Sequence, residues 1–264
     1  MLLAVDIGNT NIVLGLFVEE RLEQDWRVRT EVNMTVDEFG ILIRNLFSTC
    51  PYPVDAVQHV IISCVVPPML NAVEHFCRKY LDVNPLIVGP GIRTGMPILY
   101  DNPREVGADR IVNAIAAYDA FRQSTIVVDF GTATTFDYVS ERGEYMGGVI
   151  SPGIMISCEA LFQKASKLPR VEIFGRPTSI LAKNTIASMN AGIVFGYAGL
   201  VEGIINRMKR ELKSNPKTVA TGGLATLIAA ECPAIEQVDD YLTLKGLKLI
   251  FERNQKPATQ RHEP

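Results

Sequence analysis

The strongest constraint on the fold is a pattern that occurs twice. Leu2-Leu3-Ala4-Val5 is an apolar run with strand character that ends in Asp6-Ile7-Gly8-Asn9-Thr10, and a second strand-like run follows. Ile126-Val127-Val128 repeats this, ending in Asp129-Phe130-Gly131-Thr132-Ala133-Thr134 before the next run. The two aspartates lie 123 residues apart in a chain of 264. Each copy feeds a three-strand run, expected from its polar turns to be an antiparallel meander, and then alternating helices and strands. The simplest architecture is two similar α/β domains facing across a cleft. Division along the chain gives residues 1–118 and 119–254, with a frayed tail over 255–264.

Local signals fill in this frame. Thr35 with Glu38 three residues on has capping-box spacing and opens a helix to Thr49. Pro67-Pro68 opens another that reaches Tyr80. Residues 89–107, with four glycines and three prolines among them, read as a long loop, and a loop of that length in a compact domain is usually functional. A helix is expected over Glu105–Phe121, a long one over Asn184–Lys213 and a closing one over Thr243–Phe251. Gly192, Gly196, Gly199 and Gly203 fall on one face of the long helix. Each costs about 1 kcal/mol inside a helix, so close backbone packing must offset them, by this subunit or a second one.

Composition narrows the class. Lys plus Arg is 26 and Asp plus Glu is 29, giving a net charge of −3, so no basic excess points to nucleic acid. The basic cluster at Arg207, Lys209, Arg210 and Lys213 ends a helix, where cations are favoured anyway. The five cysteines have no CxxC spacing and the three histidines do not group with them, which argues for reduced thiols and against a zinc site. The apolar run at the N-terminus stops at Asp6, and Ala191–Val201 is too short to span a bilayer. The expectation is a soluble, cytoplasmic protein with no membrane or nucleic-acid partner.

The Asp-x-Gly turns carry the chemistry. Glycine lets backbone approach a ligand closely, and successive N–H groups in such a turn can nest an anion. Asn9, Thr10, Thr132 and Thr134 add polar groups, and an aspartate at a strand end can hold Mg²⁺. One such turn is equally an ordinary turn; two in equivalent places point to a polyphosphate and its metal. There is no GxxxxGK[ST] and no GxGxxG after a strand, so any nucleotide is bound by another fold. Thr221-Gly222-Gly223 suits either an adenosine resting against backbone or a plain strand-to-helix turn. Gly147, Gly148, Pro152 and Gly153 suit close approach to a ligand or simple packing. In Gly107-Ala108-Asp109-Arg110, Asp109 can accept a proton from a hydroxyl and Arg110 can fork onto a carboxylate. Both are also ordinary helix-start charges. Tyr100 and Asp101 precede them in the same loop.

Taken together, the motifs resemble type III pantothenate kinase, of the sugar-kinase, Hsp70 and actin-like superfamily. The matching pieces are DIGNTN at 6–11, YDNPREVGADR at 100–110, DFGTATT at 129–135, GGVISPG at 147–153, NT at 184–185, TGG at 221–223 and LTLKGL at 242–247. The resemblance runs from Met1 to about Asn254. It implies two ribonuclease-H-like, actin-like ATPase domains. It also implies ATP-dependent phosphorylation of pantothenate at its 4′-hydroxyl, the start of the committed route to coenzyme A.

Residue by residue, the resemblance implies that Asp6, Gly8, Asn9, Thr10 and Asn11 hold phosphate and metal. Asp129, Gly131, Thr132 and Thr134 form a second phosphate turn, with Asp129 near a monovalent-cation site for K⁺ or NH₄⁺. Gly222 and Gly223 match the adenosine motif. Asp109 matches the general base, and Tyr100, Gly107 and Arg110 match the pantothenate pocket. Thr185 matches a residue that reaches pantothenate across a homodimer interface. Two other readings remain at this point: a kinase for another small carboxylate or a sugar, and a noncatalytic accessory factor for transcription. The presence of Asp6, Asp109 and Asp129 favours catalysis.

Overall fold

The computed structural model describes residues 1–171 and 175–255. The expected tail over 255–264 lies outside them, save for Gln255, which ends the last helix. The chain divides into two compact units. Of the described residues, the first comprises Met1–Met96, Asn102–Ala116 and Thr243–Gln255; the second comprises Pro97–Asp101 and those between Ala117 and Leu242.

The first unit is built on β1 (Leu2–Ile7), β2 (Asn11–Val18), β3 (Arg21–Arg29), β4 (His59–Cys64) and β5 (Leu86–Ile87), in the order β3-β2-β1-β4-β5. β1 pairs antiparallel with β2 and parallel with β4. Five of its six residues are buried, as a central strand covered on both faces requires. Helix α1 (Val36–Phe47) starts at the expected capping box, where the Thr35 hydroxyl accepts from the Glu38 N–H and the Glu38 carboxylate accepts from the Thr35 N–H at 2.8 Å. Its Phe39, Ile43 and Phe47, four apart, turn one face inward. Phe39 meets Phe76 of α2 (Pro67–Tyr80) edge to face at 5.1 Å.

The second unit repeats the plan. Its strands are β6 (Thr125–Phe130), β7 (Ala133–Val139), β8 (Tyr145–Pro152), β9 (Lys217–Gly222) and β10 (Gln237–Val238). The order β8-β7-β6-β9-β10 matches the first sheet strand for strand. β6 pairs antiparallel with β7 and parallel with β9, as β1 does with β2 and β4. Helices α4 (Ile154–Lys164), α5 (Thr185–Leu212) and the short α6 (Ala225–Ala229) cover it. Val194, Ala198, Val201 and Ile205 of α5 pack into this core with Val128 and Phe136. α5 is long and apolar enough to cross a membrane by length and composition, yet this buried stripe is that of a core helix.

Two expectations change. Helix α3 spans Ala108–Phe121 rather than starting at Glu105. Pro103–Glu105 forms a separate 3₁₀ turn, and Val106 is extended, so the helix restarts after Gly107. The linear division also puts the closing helix in the second half. Helix α7 (Leu242–Gln255) instead joins the first unit from Thr243 on. Its Leu244 reaches the Gly15 backbone of β2, Thr243 donates to Asn113 of α3 at 2.7 Å, and a Cβ on Gly246 would collide with the Val112 carbonyl. Hydrophobic spacing shows that such a helix is buried but not against which sheet.

Candidate active site

In the first unit the site begins where β1 ends. The Gly8 N–H donates to the Asn11 carbonyl at 3.0 Å, and a Cβ on Gly8 would sit 3.1 Å from that oxygen. The turn is tied from outside by Thr30, whose hydroxyl donates to the Gly8 carbonyl at 2.7 Å and whose N–H donates to the Thr10 carbonyl at 3.0 Å. Asn9 and Thr10 stand exposed at its tip. Asp6 is half-buried and lies in register with Ser63 on β4, whose fully buried hydroxyl acts on the Asp6 carboxyl.

Asp109 is the second residue of α3. Its Oδ1 accepts from the Arg110 N–H at 2.8 Å, and a Cβ on Gly107 would come 2.5 Å from the same oxygen. A side chain at 107 would therefore displace the Asp109 carboxylate from this position. Although 103 residues separate them, Asp6 and Asp109 interact. Burial pushes the Asp6 carboxyl up to about 7, and the charge on Asp109 adds to this; Ser63 and Arg27 pull the other way. Asp109 is also raised by burial, against the Arg110 N–H and guanidinium. Two partly desolvated carboxylates of like charge are costly without a ligand, and such perturbed pairs mark functional sites.

In the second unit three motifs converge. The Gly131 N–H donates to the Ala133 carbonyl at 3.1 Å, closing the turn after Asp129. The Gly153 N–H donates to the Thr132 carbonyl at 3.1 Å, and a Cβ on Gly153 would clash with that oxygen and lie 2.6 Å from the Gly131 carbonyl. Gly222 pairs with Phe130 across β6 and β9. It has a φ of 97°, and a Cβ there would come 2.8 Å from Asp129 Oδ1. The TGG turn thus sits directly under the Asp129 carboxylate. Gly223 follows it, exposed, and the Thr134 hydroxyl is buried without a hydrogen bond.

Tyr100 belongs to this second unit, whereas Gly107, Asp109 and Arg110 belong to the first. Its segment is held by Tyr145 of β8, which accepts from the Leu99 N–H at 2.8 Å and donates its own N–H to Pro97 at 2.9 Å. The Tyr100 and Tyr145 rings lie 6.3 Å apart, and the buried Tyr145 hydroxyl donates to Asp137 at 2.6 Å. Thr185 opens α5 after the Asn184 cap and lines an apolar groove of about 710 Å³ with Pro152, Ser157, Gly192, Gly196 and Tyr197. A Cβ on any of Gly192, Gly196, Gly199 or Gly203 would meet nothing within 4 Å, so the packing that offsets these glycines is not made by the described residues of this chain.

The sequence reading missed Thr30, Ser63 and Asn113. Each is a single polar residue whose neighbour is fixed by strand or helix pairing, and no local pattern flags it. Among the described residues no group of three or more His, Cys, Asp or Glu converges. The donors at the two turns are single carboxylates with hydroxyls beside them. Such hard oxygen ligands fit Mg²⁺, which keeps several waters and takes phosphate oxygens for the rest.

Two units with one repeated sheet order, each carrying an Asp-x-Gly turn at the end of its central strand, have the doubled α/β plan of the actin-like ATPase fold. A solved structure of the same fold is the ROK hexokinase from Thermus thermophilus, with a TM-score of 0.51 at 12% identity over 96% of this chain and 99% of that one. The family model for type III pantothenate kinase matches residues 2–207. A type III pantothenate kinase from Syntrophobacter fumaroxidans is 75% identical over 97% of this chain and 99% of its own length. One from Syntrophus aciditrophicus is 63% identical over 96% and 100%. The chain belongs to the type III pantothenate kinase family. It is an ATP-using kinase that phosphorylates pantothenate in coenzyme A biosynthesis.

Proposed function

We propose that Asp109 is the general base that takes the proton from the pantothenate 4′-hydroxyl as that oxygen attacks the γ-phosphorus of ATP. The observation that carries this assignment is the Asp109 carboxylate itself: partly desolvated, raised in pKa and fixed at a helix start by the Arg110 N–H and the bare Gly107. A base so held need not be strong, because a loose phosphoryl-transfer transition state puts little early charge on the nucleophile. Arg110 binds the pantothenate carboxylate, and Tyr100 and Gly107 complete the substrate pocket.

Asp6 with Gly8, Asn9, Thr10 and Asn11 serves the phosphate chain and its metal. Asp129 with Gly131, Thr132 and Thr134 serves the phosphates from the second unit, and Gly222 and Gly223 serve the adenosine. Mg²⁺, when bound, supplies charge compensation to the transferring group, and K⁺ or NH₄⁺ near Asp129 adds to it. The protein's own part is orientation: backbone N–H groups of the two turns hold phosphate oxygens in place. We assign the open glycine face of α5 to a homodimer, with Thr185 reaching the partner's pantothenate. The enzyme acts in the cytoplasm, without nucleic-acid or membrane partners.

The test is an ADP-release assay with ATP, Mg²⁺ and pantothenate, with and without K⁺, followed by mass identification of the product. One added phosphoryl group on pantothenate, formed faster with K⁺, is expected. ADP release that does not depend on pantothenate would refute the assignment.

A further inference from the structure

Tyr197 has no place in the chemistry above, yet its hydroxyl meets three polar partners. It lies between Gly196 and Ala198 on α5, half-buried in the wall of the apolar groove. It is 3.1 Å from the Pro152 carbonyl, 3.1 Å from the Gly153 carbonyl and 2.5 Å from Ser157 Oγ. A phenol has one proton, and carbonyls only accept. The Tyr197 proton therefore goes to the carbonyl pair, and Ser157 donates to the Tyr197 oxygen. This three-way arrangement fixes the Pro152–Gly153 peptide from the groove side.

The other side of that peptide carries the phosphate turn. The Gly153 N–H holds the Thr132 carbonyl, and the absent Gly153 side chain leaves just enough room for the Gly131 and Thr132 carbonyls. Residue 153 is thus a two-sided spacer between Tyr197 and the turn after Asp129.

We propose that Tyr197 is a positioning residue for the second phosphate turn, setting ATP affinity from the groove side of α5 through the Pro152–Gly153 peptide. This rests on the reading that residues 129–134 bind ATP phosphate. Because Tyr197 touches no reacting atom, its removal should loosen ATP and leave pantothenate alone. The groove also holds Thr185, so an unchanged pantothenate KM doubles as a control that the groove itself is intact.

The experiment measures ATP Kd by calorimetry and the KM for both substrates, using the full chain with Tyr197→Phe, Ser157→Ala and Asp129→Asn. Loss of one net hydrogen bond predicts an ATP Kd about 3- to 10-fold weaker for Tyr197→Phe, with the pantothenate KM unmoved. Ser157→Ala, which keeps the bonds from Tyr197 to the carbonyls, should shift ATP in the same direction but less. If Tyr197→Phe does not fold, the same split in Ser157→Ala carries the test, and parental ATP affinity in that variant overturns the proposal. Parental ATP affinity in Tyr197→Phe while Asp129→Asn loses ATP overturns the proposal and leaves the phosphate-turn reading standing. Equal weakening of both substrates makes Tyr197 a general support of the fold and also overturns it. Parental ATP affinity in Asp129→Asn as well would bring down the phosphate-turn reading and the proposal with it.

Discussion

Replacing Asp6 by asparagine should stabilise the ligand-free protein while abolishing its activity. Folding raises the Asp6 carboxyl from 3.8 to about 7, chiefly by burial and then by the charge on Asp109. A carboxyl raised on folding holds an extra proton in the native state between those two values. Stability from this group is therefore fully present below about pH 4, falls as pH rises to about 7 and is flat above. At about 1.36 kcal/mol per pH unit the loss is at most ~4 kcal/mol, and partial exposure of the side chain trims it to about 2–4. The carboxamide of the variant cannot ionise and escapes this penalty. The difference in urea-unfolding free energy between Asp6→Asn and the parent, without Mg²⁺ or nucleotide, should be near zero at pH 4 and reach about 2–4 kcal/mol in favour of the variant at pH 8. Taking the difference cancels other groups that titrate over this range. A difference that does not change with pH, or a variant less stable than the parent at pH 8, would refute the electrostatic account of this site.

Asp109→Asn should fold and bind ATP but lose about 10²–10⁴-fold in kcat, read by single-turnover rates at saturating substrates. It should also lower the Asp6 pKa by removing a like charge, moving the upper end of the pH-dependent stability window downward in the same urea series. Gly222→Ala should cost about 2–4 kcal/mol and weaken ATP binding, since φ is 97° and the methyl would press on the Phe130 carbonyl and the Asp129 carboxylate; thermal melts with and without ATP check this. Sedimentation should give twice the monomer mass for the parent and a lighter species for Gly196→Leu, which fills the open face of α5.

The repeated plan was legible because it rests on local signals: a buried central strand, an aspartate at its end and a glycine that lets the chain turn. The capping box at Thr35 and the helix opening at Pro67 were legible for the same reason. Tertiary pairing was not. Ser63 comes beside Asp6 only through the register of β1 with β4, and Thr30 reaches the Gly8 turn only because β3 returns along β2. The approach of Asp6 to Asp109 across 103 residues has no local trace, and neither does the transfer of Tyr100 to the second unit while its loop neighbours Gly107 and Arg110 stay in the first. The glycine face of α5 was visible as a face, but its partner was not.

The placement of α7 has a consequence for how the chain is made. The second unit is nearly continuous, from Ala117 to Leu242, and can assemble as it emerges from the ribosome. The first unit is begun first and completed last. Leu244, Leu247 and Ile250, all essentially inaccessible in the finished protein, are translated only after the whole second unit. Until then the surface of β2 around Gly15 and the α3 backbone at Val112 lack their cover. During synthesis the nascent first unit therefore exposes apolar surface for longer than any other part of the molecule, and it is there that a chaperone would be needed.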